Sequence, residues 1–293
     1  MKTYRILAAI CMMMSLCPGA ETAAPAPRRA NAMVDLMKME QDARCGQVVV
    51  TCLVNGQPMR MMLDTGATHT VLHEESVARL RNVRWIDTSR MQFRGNSSQK
   101  PKLIQASLRV GPGRAPQHVA MVVNLSAVRS MMAEPIDGIV GMDILGSLPF
   151  TFDLRAGKMY WGSPEGATLV PLHGSRDDNG RMMIQVNCEG HSMELLLDTG
   201  SSVTRVYRND WKPGTDREVE AQLGDVDSAT RSRVMRGKAA DLELSPGIIS
   251  PQVSPLICPD DDRSMLGMDA LQNQILVHLP GRNTFYGSFF LVR

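Results

Sequence analysis

One stretch of this chain occurs twice. Val54-Asn-Gly-Gln-Pro-Met-Arg-Met-Met-Leu-Asp-Thr-Gly66 and Cys188-Glu-Gly-His-Ser-Met-Glu-Leu-Leu-Leu-Asp-Thr-Gly200 align without a gap, the second copy 134 positions after the first. A second block follows in each half, Ile139-Val-Gly-Met-Asp-Ile-Leu145 against Met265-Leu-Gly-Met-Asp-Ala-Leu271, now 126 apart. The eight-residue difference falls between the blocks, where loops absorb insertions at little cost. The likeness continues through Phe150–Leu154 and Met159–Gly162, matched to Ile275–Leu279 and Thr284–Gly287, so each half is expected to close with a β-hairpin. A repeat of this length means two copies of one folding unit.

Each unit reads as mainly β. Gln47–Leu53 and Met59–Leu63 are short apolar or β-branched runs around Asn55-Gly56, a strong hairpin signal. Leu103–Val110 and His118–Val123 flank Gly111-Pro112-Gly113 in the same way, and helical pattern is confined to pieces such as Glu74–Arg81. The expected divisions are a first lobe at 45–163, a linker at 164–181 and a second lobe at 182–293. Pro164, Pro171, Gly174 and Asp177-Asp-Asn-Gly180 mark the linker, and residues 168–172 are expected to supply an opening strand of the second lobe.

The N-terminus carries an address of its own. Lys2 and Arg5 precede an apolar run, Ile6–Leu16, with small residues at Gly19 and Ala20. Residues 1–20 are therefore expected to be a cleaved export signal, too short to span a bilayer, and 21–44 an N-terminal segment. The expected destination is periplasmic or secreted. Lipid anchoring at Cys17 is disfavoured by the bulky Leu16 before it. Without Lys2 and Arg5 the 32 basic residues fall to 30, against 30 acidic ones. A neutral mature protein gives no electrostatic reason to bind nucleic acid or anionic lipid. Cys45, Cys52, Cys188 and Cys258 would survive processing, and export permits up to two disulfides in any of three pairings.

The two Asp-Thr-Gly copies, each after an apolar strand and each followed by a hydrophobic-hydrophobic-Gly block, resemble the retroviral-type and pepsin-like aspartic peptidases. Leu63-Asp-Thr-Gly-Ala67 has the retroviral form and Leu197-Asp-Thr-Gly-Ser-Ser202 the pepsin form. The resemblance covers about 45–163 and 168–293. It implies two homologous retropepsin-like β-barrel lobes with pseudo-twofold symmetry around a central cleft, and Asp64 and Asp198 as a catalytic pair. Thr65, Gly66, Ala67, Thr199, Gly200 and Ser201 would support the two loops. Ile139, Val140, Gly141, Met265, Leu266 and Gly267 would pack beside them.

The chemistry implied needs no metal and no cofactor. Two carboxyls a hydrogen bond apart cannot both ionise cheaply, so they share a proton, and one acts as base while the other acts as acid. The partner implied is an extended peptide or protein substrate laid along the cleft. Since both halves lie on one chain, a monomer suffices. Flaps over the cleft are expected near Arg94–Ser97 and Leu223–Asp225, neither with the tyrosine that pepsins carry there. Asp143 and Asp269, though duplicated, are expected to hold structural hydrogen bonds.

Two competing readings have their own residues. A lobed fold that binds peptides without cutting them would use the same cleft. A zinc site around His69, His73, Asp64 and Glu74 has the wrong spacing, and the second half has Val203 and Tyr207 in place of the histidines. Both histidines are expected at the surface or behind the site. Asp260-Asp-Asp262 lacks the alternation and glycine of a calcium loop.

Overall fold

The computed structural model describes residues 34–37, 40–41, 46–88, 102–225, 228–258, 264–281 and 287–293. The export signal, Cys17, Cys45, Arg94–Ser97, Asp260–Asp262 and Thr284–Tyr286 lie outside the described residues.

Both repeats fold as the hairpin their sequence specifies. Val48–Val54 pairs with Gln57–Leu63, and Met182–Cys188 with His191–Leu197, each across a two-residue turn. Those turns need two residues at positive φ, which Asn55 (49°) with Gly56 (78°) and Glu189 (51°) with Gly190 (81°) supply. Beyond each hairpin the chain returns through a short strand, Val71–His73 or Arg205–Tyr207. It comes back again as Gly138–Val140 or Met265–Leu266, which runs parallel to the second hairpin strand, with Leu63 opposite Val140 and Leu197 opposite Leu266.

In the first half the ring closes. Val48–Val54 also pairs with Lys102–Val110, so six strands return on themselves as a barrel, with Arg84–Ile86 and Glu40–Gln41 added at its margins. The second half uses the same order but stays open. A single strand, Gly113–Val123, completes the first barrel, whereas its counterpart is broken into Ile248–Val253 and Leu256–Cys258 around Ser254 and Pro255. Proline lacks the N–H that would continue a ladder. A long hairpin, Thr215–Asp225 with Ser228–Gly237, is attached through Leu256–Cys258.

The closing hairpins of the two halves join in one six-stranded sheet. Phe150–Asp153 pairs with its own return strand, Lys158–Trp161, and also with Ile275–Leu279 from the other half. The return strand of the second hairpin is Ser288–Val292, later than the Thr284–Gly287 match in sequence; its alternating burial, with Phe289 and Leu291 inside, is what seats it there. Leu169–Pro171, inside the expected linker, pairs with that last strand and thus edges the shared sheet. Phe150, Phe152, His278 and Phe289 stack beneath it, and His278 Nδ1 meets the Leu148 carbonyl oxygen at 2.8 Å. The core is continuous from one half to the other through this sheet.

The structure decides two points that the sequence left open. Cys52 and Cys188 are free thiols buried in the core, where each behaves as a small apolar side chain, and Cys258 is buried as well. His73 is not at the surface: it is 1% exposed, and its Nδ1 accepts the Leu125 N–H at 3.0 Å. A ring nitrogen there satisfies a buried backbone donor that would otherwise have no partner. The helix expected over Glu74–Arg81 is Glu74–Ala78, one of four short helices among the described residues.

Candidate active site

The parallel pairing just described holds the two Asp-Thr-Gly loops. Asp64 N–H donates to Val140 O at 3.1 Å, and Asp198 N–H to Leu266 O at 3.1 Å, so each aspartate is the first residue off its strand. The loop then turns back over the hydrophobic-hydrophobic-Gly block. Met142 N–H donates to Ala67 O and Met268 N–H to Ser201 O, both at 2.8 Å. Gly141 and Gly267 sit flush against the loops: a Cβ on Gly141 would lie 2.7 Å from His69 O, and one on Gly267 2.6 Å from Val203 O. Ile139, Val140 and Leu266 are buried behind, and Met265 is half-buried.

The duplicated Asp143 and Asp269 tie the far end of each loop. Asp143 accepts from the Thr70 N–H (2.7 Å) and hydroxyl (2.8 Å), and Asp269 from the Thr204 N–H (2.8 Å) and hydroxyl (2.6 Å). The same threonine hydroxyls lie 3.3 Å from Gly141 N and 3.1 Å from Gly267 N, where they accept. His118 adds a contact to Asp143 in the first half alone, at 3.1 Å. His69 Nδ1 meets the Thr68 hydroxyl at 3.0 Å, so it and His73 serve different places and do not converge. Among the described residues no group of three or more His, Cys, Asp or Glu could hold a metal ion.

The two loops then lock to each other. Thr65 N–H donates to the Thr199 hydroxyl and Thr199 N–H to the Thr65 hydroxyl, each at 3.1 Å. The hydroxyls donate onward, Thr65 to Leu197 O (2.8 Å) and Thr199 to Leu63 O (2.9 Å). Both threonines are fully enclosed, which keeps water from competing for these bonds. The lock brings Asp64 and Asp198 together, and their carboxyls hydrogen-bond directly.

Each carboxyl is also cradled by its own loop. Gly66 and Ala67 N–H groups donate to Asp64 Oδ1 at 2.7 and 3.0 Å, and Gly200 N–H to Asp198 Oδ1 at 2.9 Å. The glycines are required by the other carboxyl as well. A Cβ on Gly66 would stand 2.6 Å from Asp198 Cγ, and one on Gly200 2.5 Å from Asp64 Cγ. Ser201 is buried and its hydroxyl donates to Val203 O at 2.8 Å.

The pair is unequal. Burial, then the neighbouring charge of Asp198, hold Asp64 well above the ordinary carboxylate range. Asp198 is also raised by burial, but its bond to Asp64, the Gly200 N–H and the charges of Arg205 and Arg181 pull it back down. Both carboxyls thus hold protons more tightly than an exposed aspartate, and the two titrate as one pair. Asp269 is raised too, by burial.

Two residues at the site escaped the sequence reading. Gln47 Nε2 donates to Gly200 O, and Arg181 Nη1 lies 3.5 Å from Gly66 O. Each stands at the foot of its hairpin and reaches across to the opposite glycine. The signal available was their equal offset, 17 positions before Asp64 and before Asp198.

The family model described as Aspartyl protease matches residues 50–144. That span begins in the first strand of the first barrel and ends in the helix after Gly141. It supports an aspartyl protease of the retropepsin-like kind. No curated protein matches the chain.

Proposed function

We propose that this protein is an aspartic endopeptidase that hydrolyses extended peptides with a water activated by Asp64 and Asp198. The observation that carries the reading is the hydrogen-bonded carboxyl pair at the junction of two cross-locked Asp-Thr-Gly loops, in a chain whose first half matches the aspartyl protease family. One ionised and one protonated carboxyl, at hydrogen-bond distance, are the base and acid that addition of water to an amide requires.

The ionised member takes a proton from water, and the oxygen of that water bonds to the scissile carbon. The protonated member gives its proton to the carbonyl oxygen, leaving a neutral gem-diol. The first carboxyl then passes its new proton to the amide nitrogen as the C–N bond breaks, and the second recovers a proton from a diol hydroxyl. The pair ends in its starting state, so no covalent enzyme intermediate is needed.

The same reading treats residues 1–20 as an export signal, 45–163 and 182–293 as the two lobes, and the protein as a monomer working outside the cytoplasm. No helix among the described residues is long and apolar enough to cross a membrane. The hairpin Thr215–Asp225 and Ser228–Gly237 is the flap of the second lobe in this reading. It lies against the helix Ser126–Met131 of the first half, which supports a path across the cleft.

The test is cleavage of a diverse peptide pool, read by mass spectrometry, by wild type, Asp64→Asn and Asp198→Asn. Cleavage by wild type that pepstatin stops and both variants lack is the expected result. Wild type that binds extended peptides but cuts none from acid to neutral pH would make the fold a peptide-binding module instead.

A further inference from the structure

The two halves match closely around the dyad, so the few places where they differ in charge stand out. Gln47 and Arg181 occupy equivalent positions and make equivalent contacts, each to the carbonyl oxygen of the opposite Asp-Thr-Gly glycine. One brings a neutral amide and the other a guanidinium. The position equivalent to Val71, 134 residues on, is Arg205, a second cation in that half. Both differences add positive charge that acts on Asp198.

Arg181 is fixed by its own contacts. Its Nε and Nη2 donate to Asp177 Oδ2 at 2.9 and 2.7 Å, with 18% and 11% of the two side chains exposed. Asp177 Oδ1 in turn accepts from the Asn179 and Arg181 N–H groups, both at 2.9 Å. This turn, Asp177-Asp-Asn-Gly180, holds the guanidinium against Gly66, the residue whose Cα faces the Asp198 carboxyl. The charged groups around Asp198 are Asp64 from the first loop, Arg181 from the foot of its own hairpin and Arg205 from the strand Arg205–Tyr207. Asp177 stands behind Arg181 and offsets part of its charge.

We propose that Arg181 is a positioning residue that keeps the shared proton on Asp64 and leaves Asp198 as the carboxylate that activates water. In a symmetric pair either carboxyl is competent, and the proton is divided between two equivalent arrangements. A cation beside one member lowers the energy of the anion there and removes that degeneracy. The geometry that carries the assignment is the contact of Arg181 with Gly66 O, beside the Asp198 carboxyl, and the neutral Gln47 at the equivalent place in the other half. The assignment rests on the proteolytic reading for its consequence, though not for its electrostatics.

The experiment is the pH profile of kcat/KM for wild type, Arg181→Gln and Arg181→Lys on one cleaved peptide. The acidic limb reports the first ionisation of the pair. Arg181→Gln, the residue of the other half, is expected to move that limb up by about one pH unit, the low end of what an opposite charge does to a carboxylate. Below the limb this is a tenfold loss, with the plateau little changed, and Arg181→Lys returns the limb to its wild-type place. A limb that stays put in Arg181→Gln, or moves equally in the lysine variant, overturns the proposal.

Asp177→Asn supplies the opposite sign. It keeps the Oδ1 that the turn needs and removes the negative charge behind Arg181, so the limb should move down; a move upward counts against the proposal. Wild type that cuts no peptide would end the proteolytic reading alone. Carboxyl carbon NMR titration then decides the inference: the Asp198 resonance should ionise below that of Asp64, and Arg181→Gln should raise it. Asp64 ionising first would overturn it.

Discussion

Thr65 and Thr199 exchange hydrogen bonds in both directions, the N–H of each donating to the hydroxyl of the other at 3.1 Å. Their hydroxyls also donate to Leu197 O and Leu63 O, so four bonds cross between halves that are 134 residues apart in sequence. Thr65→Val removes the acceptor of Thr199 N–H and the donor of Leu197 O while keeping the shape. Each buried group left unpaired costs about 1–3 kcal/mol. Thr65→Val and Thr199→Val are each expected to lower the unfolding free energy in urea by at least about 1 kcal/mol, and peptide cleavage should fall with them.

The glycines of the two loops should be intolerant in a different way. Ala at position 66 puts a methyl group 2.6 Å from Asp198 Cγ, and Ala at 200 puts one 2.5 Å from Asp64 Cγ, so the carboxyls must part. Displacement of reacting groups by about 1 Å costs about a hundredfold in rate. Gly66→Ala and Gly200→Ala should fold, by circular dichroism, and lose cleavage activity by at least that factor.

The dyad should also tie stability to pH. Asp64 and Asp198 hold protons more tightly folded than unfolded, because burial raises both. Their contribution to stability is therefore complete below the unfolded carboxylate value of about 4 and is lost as pH rises through the raised folded values. Asp64→Asn removes the larger part of that dependence. Urea midpoints measured from pH 4 to pH 8 should decline more steeply for wild type than for Asp64→Asn, with the variant gaining relative stability toward neutral pH. Parallel curves would contradict the raised dyad.

The buried thiols should be silent in the folded protein. Burial pushes Cys52 up to about 12, and burial with the charges of Glu189 and Asp241 pushes Cys188 up to about 11. The thiolate is the reactive form. A free thiol sits near 8.5, so at pH 7.5 neither of these is ionised to a useful degree. Iodoacetamide labelling of the tryptic peptides that carry Cys52 and Cys188 should appear only after denaturation.

Much of the site was legible because it is written locally and written twice. A gapless repeat with Asp-Thr-Gly at its end identifies two loops of one design, and Asn55-Gly56 announces the turn that starts the first. The closing strand of the second half is seated by the alternating burial of Ser288–Val292 against Ile275–Leu279, a contact that a sequence match does not weigh. The sequence left His73 open between the surface and a place behind the site, because nothing local says that the Leu125 N–H needs a buried acceptor. Arg181 was invisible as a site residue because its importance lies in an unequal substitution, Gln47 for Arg181, and because it falls at the end of the expected linker 164–181.

The sequence by itself determined that there are two similar β-rich units, where each acidic loop lies, and which glycines and hydrophobic blocks accompany it, since strand, turn and repeat signals act over a few residues. Tertiary structure alone decided that the closing hairpins share one sheet, that one barrel closes while the other stays open, and that one carboxyl sits in a more positive field than its twin. Those outcomes depend on which surfaces meet and on charges brought close through space, and distance along the chain carries no record of either.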